Sequence, residues 1–334
     1  MPHRLHFVAA LAWLASAFCH AQDFPNKPFH LLVPYPAGGP TDAISRLLAE
    51  RMKDGLGQAV IVENRPGGGT LLAAEAAVRA APDGYTWLYT SAQMIIAAEL
   101  NPPAFDIYKD LAPIAQFSKV YPLMWVVHES VPAKNVAQLS AYAKAKPGGI
   151  TMAYSGYSAP AYLFGQLLNR TGGLPVTLVG YKGQVESQND MLAGRIDAMF
   201  LTLAPVADAV KAGKLRVLAT MGDERSPQTP EIPTLAEAGL PDVAFPYWNG
   251  LHTVGGTPRA VIARLDQAVA AAIAAPRMAE RMRALSFQPS YADAAGFGVQ
   301  FKRDAERLRK LLDESGVLEQ ARRDAGIKGP GKAP

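Results

Sequence analysis

Residues 29–52 read FHLLVPYPAGGPTDAISRLLAERM, and this stretch decides the fold class. The apolar residues 30–34 predict a strand, and the apolar side chains that recur at helical spacing further on predict a helix that begins near Thr41 or Asp42. A loop rich in glycine and proline joins the two. A strand that enters a helix through a short loop is the first half of a β-α-β unit, so we expect an α/β protein with a parallel sheet.

The same alternation of strands and helices continues along the chain. Residues 59–63 and 86–90 predict strands on either side of a helix at 70–81. A second series predicts strands at 123–127, 150–154, 176–179, 196–201 and 216–219, with helices at 136–144, 161–169, 185–193 and 206–212. A proline-rich connection at 226–246 leads to an extended segment at 247–254, and helices from residue 258 onward close the chain.

The N-terminus has the order of a secretory signal peptide. Arg4 precedes an apolar run at residues 7–18, and small residues follow up to Ala21, after which we predict cleavage. The alternative is a membrane anchor, but the run is far shorter than the roughly 20 apolar residues that span a bilayer. Cys19 is the single cysteine of the chain, so the exported protein is expected to hold no disulfide.

Composition limits the partners of the exported chain. About 313 residues remain after Ala21, enough for two domains of ordinary size. Removing Arg4 lowers the net charge from +4 to +3, and the basic residues are scattered instead of clustered. This pattern disfavours nucleic acid as a partner.

Three loops lead from a predicted strand into a predicted helix, at residues 34–42, 64–70 and 155–160. Ligands of open parallel sheets lie at the carboxyl ends of the strands, and the first turn of a helix offers free amides and a partial positive charge. Each hydrogen bond to a charged group contributes about 1.5–3 kcal/mol, and micromolar binding needs about 8 kcal/mol. Four or five such contacts would hold a small carboxylate. The alternative is that the glycines only permit tight turns.

Motifs for catalysis are incomplete. The histidines that follow residue 21 match no zinc-binding spacing. Residues 156–160 resemble a nucleophile elbow but end in Pro160 where that motif has glycine. Residues 67–70 lack the lysine of a phosphate-binding loop. We therefore predict no enzyme activity, no metal and no cofactor.

Seven short motifs follow one another along the chain: FPNKP at 24–28, VPYPAGGPTD at 33–42, VENRPG at 62–67, APDGYT at 81–86, YKG at 181–183, AGKLR at 212–216 and PTLAEAG at 233–239. Together they resemble the substrate-binding receptors of tripartite tricarboxylate transporters, also called the Bug family. The resemblance implies a type II periplasmic binding protein fold, with two α/β lobes whose central sheets are joined by two crossing strands. Lobe 1 would comprise residues 22–122 and 246–334, and lobe 2 residues 123–245.

The resemblance also implies a function. The chain is expected to be a monomeric periplasmic receptor that captures a small organic carboxylate and delivers it to the permease subunits of a tripartite tricarboxylate transporter. One alternative is a ligand-binding input to a sensor kinase. Another alternative, from a different class, is a secreted hydrolase that uses Ser158.

The ligand-binding residues are assigned on the same resemblance. Those of the first loop are Tyr35, Pro36, Ala37, Gly38, Gly39, Thr41 and Asp42. Those of the opposite lobe and the walls are Ser91, Gln93, Ser155, Gly156, Tyr157, Ser158, Tyr181 and Lys182. Leu201 stands where family members commonly carry an acidic residue, so we expect a less polar carboxylate. Tyr35, Tyr157 and Trp248 are either aromatic walls of the site or packing residues.

Overall fold

The computed structural model describes residues 24–327, apart from residues 121–122, 155–159, 171–172, 183, 202, 223, 226–228, 244–246 and 286. The predicted signal peptide lies outside the described residues and stays a prediction. Within the described part of the chain, no helix has both the length and the apolar character that crossing a membrane requires.

Strands and helices alternate through most of this chain. The strands are β1 (Phe29–Val33), β2 (Val60–Asn64), β3 (Thr86–Ser91), β4 (Leu111–Val120), β5 (Met124–His128), β6 (Ile150–Tyr154), β7 (Val176–Gly180), β8 (Ala198–Leu201), β9 (Leu215–Thr220), β10 (Trp248–Val254) and β11 (Phe287–Ala292). The helices are α1 (Pro40–Leu56), α2 (Leu71–Val78), α3 (Ala92–Leu100), α4 (Val136–Ala145), α5 (Pro160–Arg170), α6 (Gln184–Leu192), α7 (Ala207–Lys211), α8 (Arg259–Ala274), α9 (Met278–Ala284), α10 (Ala294–Glu314) and α11 (Val317–Asp324).

The strands form two mixed sheets. Sheet 1 has the order β11-β4-β10-β3-β1-β2, and sheet 2 has the order β7-β6-β8-β5-β9. The predicted parallel pairing is confirmed for β1 with β2 and β3, and for β6 with β7 and β8. Sheet 1 contains residues 29–120 and 248–292, and sheet 2 contains residues 124–220. The predicted lobe boundaries fall between these groups and stay a prediction.

Helix α1 begins and ends at residues with special backbone properties. Gly39 is its N-cap, and Pro40 occupies the first turn, where a missing N–H group costs no helical hydrogen bond. Gly57 follows the helix with a φ of 68°, a value that glycine adopts without strain. The predicted apolar face is confirmed as buried: Ile44, Leu47, Leu48 and Met52.

The sequence pattern does not predict strands β4 and β11, each of which contains a proline. Proline cannot donate to a strand ladder and therefore interrupts the pattern of a strand. The structure places Pro113 of β4 beside a register shift between Leu251 and His252, and a second shift separates Pro289 of β11 from Ala292. An irregular ladder leaves a place for a residue without an N–H group.

Helix α3 is also missing from the predicted elements. It follows β3 directly, and its residues are almost all apolar. Met94, Ile95 and Ile96 are each at most 1% exposed. A helix composed almost entirely of apolar residues lacks the periodic alternation by which a surface helix is recognised.

The last helix, α11, contacts α5, which connects β6 and β7 of sheet 2, and α3, which follows β3 of sheet 1. Tyr162 of α5 donates its hydroxyl to Asp324. Arg322 donates its Nε to the carbonyl of Leu100 in α3 over 2.9 Å. Helix α11 therefore packs against both halves of the molecule.

Strand β10 lies inside sheet 1, and all of its residues are buried. Trp248 donates its indole N–H to Asp304 over 3.0 Å, and its ring centre lies 5.1 Å from that of Phe297. At Gly250, an added Cβ would lie 2.3 Å from the Phe297 ring. The close approach of β10 and α10 therefore requires glycine at this position.

Gly250→Ala is expected to lower the free energy of unfolding by about 1–3 kcal/mol, because the new methyl group would force Phe297 to move. Gly55→Ala is the matched control: Gly55 lies in helix α1 with no atom within 4 Å of an added Cβ, so this change should stabilise by about 0.5–1 kcal/mol. Urea unfolding of both variants measures the difference. Equal effects would contradict the packing described here.

Candidate ligand-binding cleft

One edge of sheet 1 brings together the ends of several strands. β1, β3 and β4 run in one direction, and β10 and β11 run in the other. The carboxyl ends of the first three strands and the amino ends of the last two therefore share this edge, where a cleft of about 790 Å³ opens. Its described lining residues are Tyr35, Pro40, Thr41, Ser91, Gln93, Leu123, Gln184, Val185, Gln188, Pro205, Tyr247, Asn249, Ala284, Leu285 and Phe287.

The opposite wall of the cleft comes from elements around sheet 2. Gln184, Val185 and Gln188 lie on α6, which follows β7, and Pro205 follows β8. The Gln188 side-chain amide donates to the carbonyl of Pro205 over 3.1 Å and so ties α6 to this turn. The cleft therefore lies between the two sheets.

Tyr35 connects the first loop to the start of α3. Its hydroxyl donates to Oε1 of Gln93 over 3.1 Å and lies 3.1 Å from Oγ of Ser91. Burial raises the pKa of the Tyr35 hydroxyl, and the hydrogen bond with Ser91 opposes part of that rise. The hydroxyl therefore keeps its proton at neutral pH and acts as a neutral donor.

The middle of the cleft is formed by the start of β10. Asn249 accepts a hydrogen bond from the Tyr89 hydroxyl over 2.5 Å and donates to Oγ of Ser118 over 3.1 Å. Burial raises the pKa of Tyr247. Among the described residues, the Tyr247 hydroxyl has no hydrogen-bond partner. This hydroxyl is therefore a donor available to a ligand.

The Asp42 carboxylate holds the loop between β1 and α1. It accepts hydrogen bonds from the Gly38 amide, Nε of Arg46 and Nδ2 of Asn64, each over 3.0 Å. Asn64 also donates to the carbonyl of Tyr35 over 3.1 Å. The hydrogen bond from Arg46, with smaller contributions from Gly38 and Asn64, lowers the pKa of Asp42 to about 2. The Gly38 amide is thus occupied by the protein itself.

The chain matches one family model over residues 44–317, more than half of its length, and that family is described as the tripartite tricarboxylate transporter family receptor. The chain belongs to this receptor family. The resemblance that the seven sequence motifs show is therefore confirmed.

Relatives of this receptor are similar over most of their length. Protein BugT of Bordetella pertussis is 30% identical over 272 residues, which cover 80% of this chain and 83% of the relative. The solved structure of the periplasmic binding protein BugD is 30% identical, with a TM-score of 0.74, and the match covers 88% of this chain and 99% of that one. A structure of an R. palustris protein with adipate is 26% identical, with the same TM-score of 0.74 and the same coverage of 88% and 99%. These likenesses confirm the two-lobed type II periplasmic binding protein fold.

The structure brings four of the predicted site residues of the receptor together. Tyr35, Thr41, Ser91 and Gln93 line the cleft. The remaining residues of the first loop, which are not among the described lining residues, are Pro36, Ala37, Gly38, Gly39 and Asp42. Outside the described residues, and still a prediction, are Ser155, Gly156, Tyr157 and Ser158.

Other predicted site residues of the receptor lie away from the described lining. Trp248 and Leu201 are each 1% exposed, because β10 and β8 are buried along their whole length. The Trp248 ring packs in the core, against Phe297. Tyr181 donates its hydroxyl to Asp190 over 2.7 Å, and Lys182 is exposed. A ligand-binding role for Tyr181 and Lys182 stays a prediction.

The sequence pattern does not predict several of the lining residues. Tyr247 and Asn249 fall within the predicted extended segment, but nothing in its pattern shows that it enters sheet 1 beside β3. Leu285 and Phe287 carry no sequence signal of a ligand site, because β11 is itself not predicted. Val185 lies two residues after the YKG motif, and this proximity is the one signal that could have found it.

Asp42→Asn is expected to loosen the first loop of the receptor. The variant keeps the size of the side chain but loses the charge, so the free energy of unfolding at pH 7 should fall by about 1.5–3 kcal/mol, the typical contribution of a hydrogen bond to a charged group. Folding lowers the Asp42 pKa from 3.8 to about 2. The stabilisation is therefore present above about pH 4 and is lost as the pH falls through about 2.

Urea unfolding of both proteins between pH 7 and pH 2 measures this difference in stability. We expect the difference to shrink across the lower part of the range. A difference that is constant with pH, or no difference at pH 7, would contradict the role given to the Asp42 charge.

Proposed function

We propose that this receptor captures a small organic carboxylate in the periplasm and delivers it, chemically unchanged, to the permease subunits of a tripartite tricarboxylate transporter. The observation that carries the proposal is the cleft between the two sheets, where hydrogen-bonding side chains meet the start of a helix. Membership of the receptor family supports the role in transport. The R. palustris relative solved with adipate supports a carboxylate as the ligand.

The start of helix α3 is well suited to bind an anion. Ser91 is its N-cap and makes no capping hydrogen bond with its side chain. The first turn, residues 92–95, is uncharged and ends in apolar residues. Its amides have no partner inside the helix, and the helix end carries a partial positive charge. A carboxylate beside Ser91 would accept hydrogen bonds from these amides and from the hydroxyl.

Both walls of the cleft contribute to binding in this mechanism. A ligand held at Ser91 would contact Thr41 and Tyr247 on one side and residues of α6 on the other. Such a ligand interacts more strongly with the closed form than with the open form, so it shifts the population toward closure. The closed form is the one that the permease would recognise, and the receptor acts as a monomer.

A thermal-shift screen tests whether the ligand is a carboxylate. The protein is first unfolded and refolded, so that any ligand carried through purification is removed. A carboxylate at 100 times its dissociation constant should stabilise the protein by about 2.7 kcal/mol. Alcohols and amides with the same carbon skeletons are the matched controls and should have no effect. Stabilisation by neutral or cationic solutes alone would overturn the proposal.

Uptake by cells tests the delivery step. Deleting the permease subunits should abolish uptake of the ligand while the receptor still binds it. Uptake that persists, together with loss of a kinase response when the receptor is deleted, would instead make the chain a sensor input. Ester turnover that Ser158→Ala abolishes would make it a hydrolase.

Tyr247→Phe tests the hydroxyl in the middle of the cleft that has no hydrogen-bond partner among the described residues. Because a hydrogen bond to a charged group contributes about 1.5–3 kcal/mol, the affinity for the carboxylate should fall about tenfold to about a hundredfold. Tyr291→Phe is the matched control, since Tyr291 is 45% exposed and donates its hydroxyl to Asp266 away from the cleft. Calorimetry of the two variants measures the affinities, and equal losses would contradict this placement of the ligand.

A further inference from the structure

The apolar cores of the two lobes are joined on one side of the molecule. Side chains of a strand alternate between the two faces of its sheet. Among the described residues, one cluster covers one face of both sheets and contains Leu32 and Leu88 of sheet 1 together with Trp125 and Phe200 of sheet 2. Two separate clusters cover the opposite faces, one on each sheet. The lobes therefore share a core on the first side, which we call the joined side.

The cleft lies on the other side of the two sheets. Tyr35 and Leu285, which line one wall, pack against the separate cluster of sheet 1. Helix α6, which forms the opposite wall, contributes Met191 to the separate cluster of sheet 2. Val185 of α6 lines the cleft and is 73% exposed, so the two walls have not met and the structure is an open form. Closure would turn the lobes about the joined side.

Helix α11 lies on the joined side and is fixed to the lobe of sheet 1. Arg322 donates its Nε to the carbonyl of Leu100 over 2.9 Å and its Nη2 to the carbonyl of Glu99 over 2.6 Å. These carbonyls end α3 and have no partner within that helix. The residues of α11 that are buried in the joined core are Val317, Leu318 and Ala321. Helix α11 is therefore expected to move with α3, the helix that starts at the cleft.

The same part of the chain is hydrogen-bonded to α5 of the other lobe. The Tyr162 hydroxyl donates to Asp324, and Nε2 of Gln166 donates to the same carboxylate over 3.3 Å. At the other end of α5, Nη1 of Arg170 donates to the carbonyl of Ser315, which precedes α11, over 3.0 Å. Arg170 and Asp324 are exposed. These bonds between the lobes therefore lie at the surface, outside the joined core.

A rotation that closes the cleft affects these surface bonds more than the joined core. When two bodies turn about a shared core and approach on one side, their surfaces on the opposite side move apart. Apolar side chains can slide and stay in contact, whereas a hydrogen bond is lost once its two heavy atoms are about 3.6 Å apart. Bonds that exist only in the open form stabilise that form relative to the closed one.

We propose that α11 is a brace that holds the receptor open, and that its hydrogen bonds to α5 break when the lobes close. A guest in the cleft must then supply the free energy that breaks these bonds, so the empty receptor stays open. The brace lies on the side away from the cleft and touches no guest. It therefore sets the affinity through the equilibrium between the open and closed forms.

The distance between two spin labels tests the brace without any guest. Lys53→Cys on α1 and Lys211→Cys on α7 place the labels on the cleft side of each lobe, at exposed positions, and Cys19→Ser removes the other cysteine. Tyr162→Phe should raise the ratio of closed to open molecules about tenfold, and Arg170→Ala about threefold, because each loses a bond to α11 or its preceding turn. In the double variant a second, shorter distance should appear.

Tyr291→Phe is the matched control for the labelled protein. The Tyr291 hydroxyl also donates to an aspartate, Asp266, but β11 and α8 both belong to the lobe of sheet 1. Its label distances should match those of the wild-type protein. Unchanged distances in the double variant, or the same change in Tyr291→Phe, would overturn the proposal.

Calorimetry with adipate gives a second measurement. Tyr162→Phe should bind adipate about tenfold more tightly than the wild-type protein, although urea unfolds it more easily. A residue with a purely structural role would lower the stability without raising the affinity, and that result would contradict the brace. Failure of every carboxylate in the thermal-shift screen would overturn the proposed function, whereas the label distances of the empty protein decide this inference on their own.

Discussion

The ionised carboxylate of Asp42 is the group on which the first wall of the cleft depends. It joins the Gly38 amide in the loop, Arg46 in α1 and Asn64 at the end of β2. Asn64 in turn holds the carbonyl of Tyr35. A nearly buried charge is stable only when its partners are in place, so this group fixes the loop that carries Tyr35 and Thr41. The charge also offsets the positive end of α1, which leaves α3 as the better place for an anion.

The return of the chain into sheet 1 forms the rest of that wall. β10 follows sheet 2 in the sequence, yet it lies between β3 and β4. This position pairs Asn249 with Ser91, and it places Tyr247 at the same edge of the sheet. Residues from distant parts of the chain therefore meet at one site. Since α6 forms the opposite wall, a ligand between them would couple binding to the approach of the two halves.

The local sequence patterns of strands and helices account for the elements that could be predicted. β6 has the predicted bounds, and β1, β2 and β3 begin or end within one residue of the prediction. Tyr35 and Thr41 lie in a loop that leaves a predicted parallel strand, where ligands of such sheets bind, whereas Ser91 and Gln93 were assigned through the family resemblance alone. Strands β4 and β11 are not predicted, because Pro113 and Pro289 interrupt the strand pattern of the sequence. In the folded sheet, irregular ladders accommodate both prolines. Helix α3 is not predicted because its almost entirely apolar sequence shows no helical periodicity.

The sequence by itself determined the α/β class and the receptor family, because each depends on motifs whose residues are close together in the chain. The tertiary structure decided the rest. It buried Trp248 and Leu201 in strands whose residues are all buried, and it brought Phe287 to the cleft through a strand that the sequence does not reveal. The order of strands in a sheet depends on which distant segments bury one another's apolar surface, and no local pattern encodes that choice.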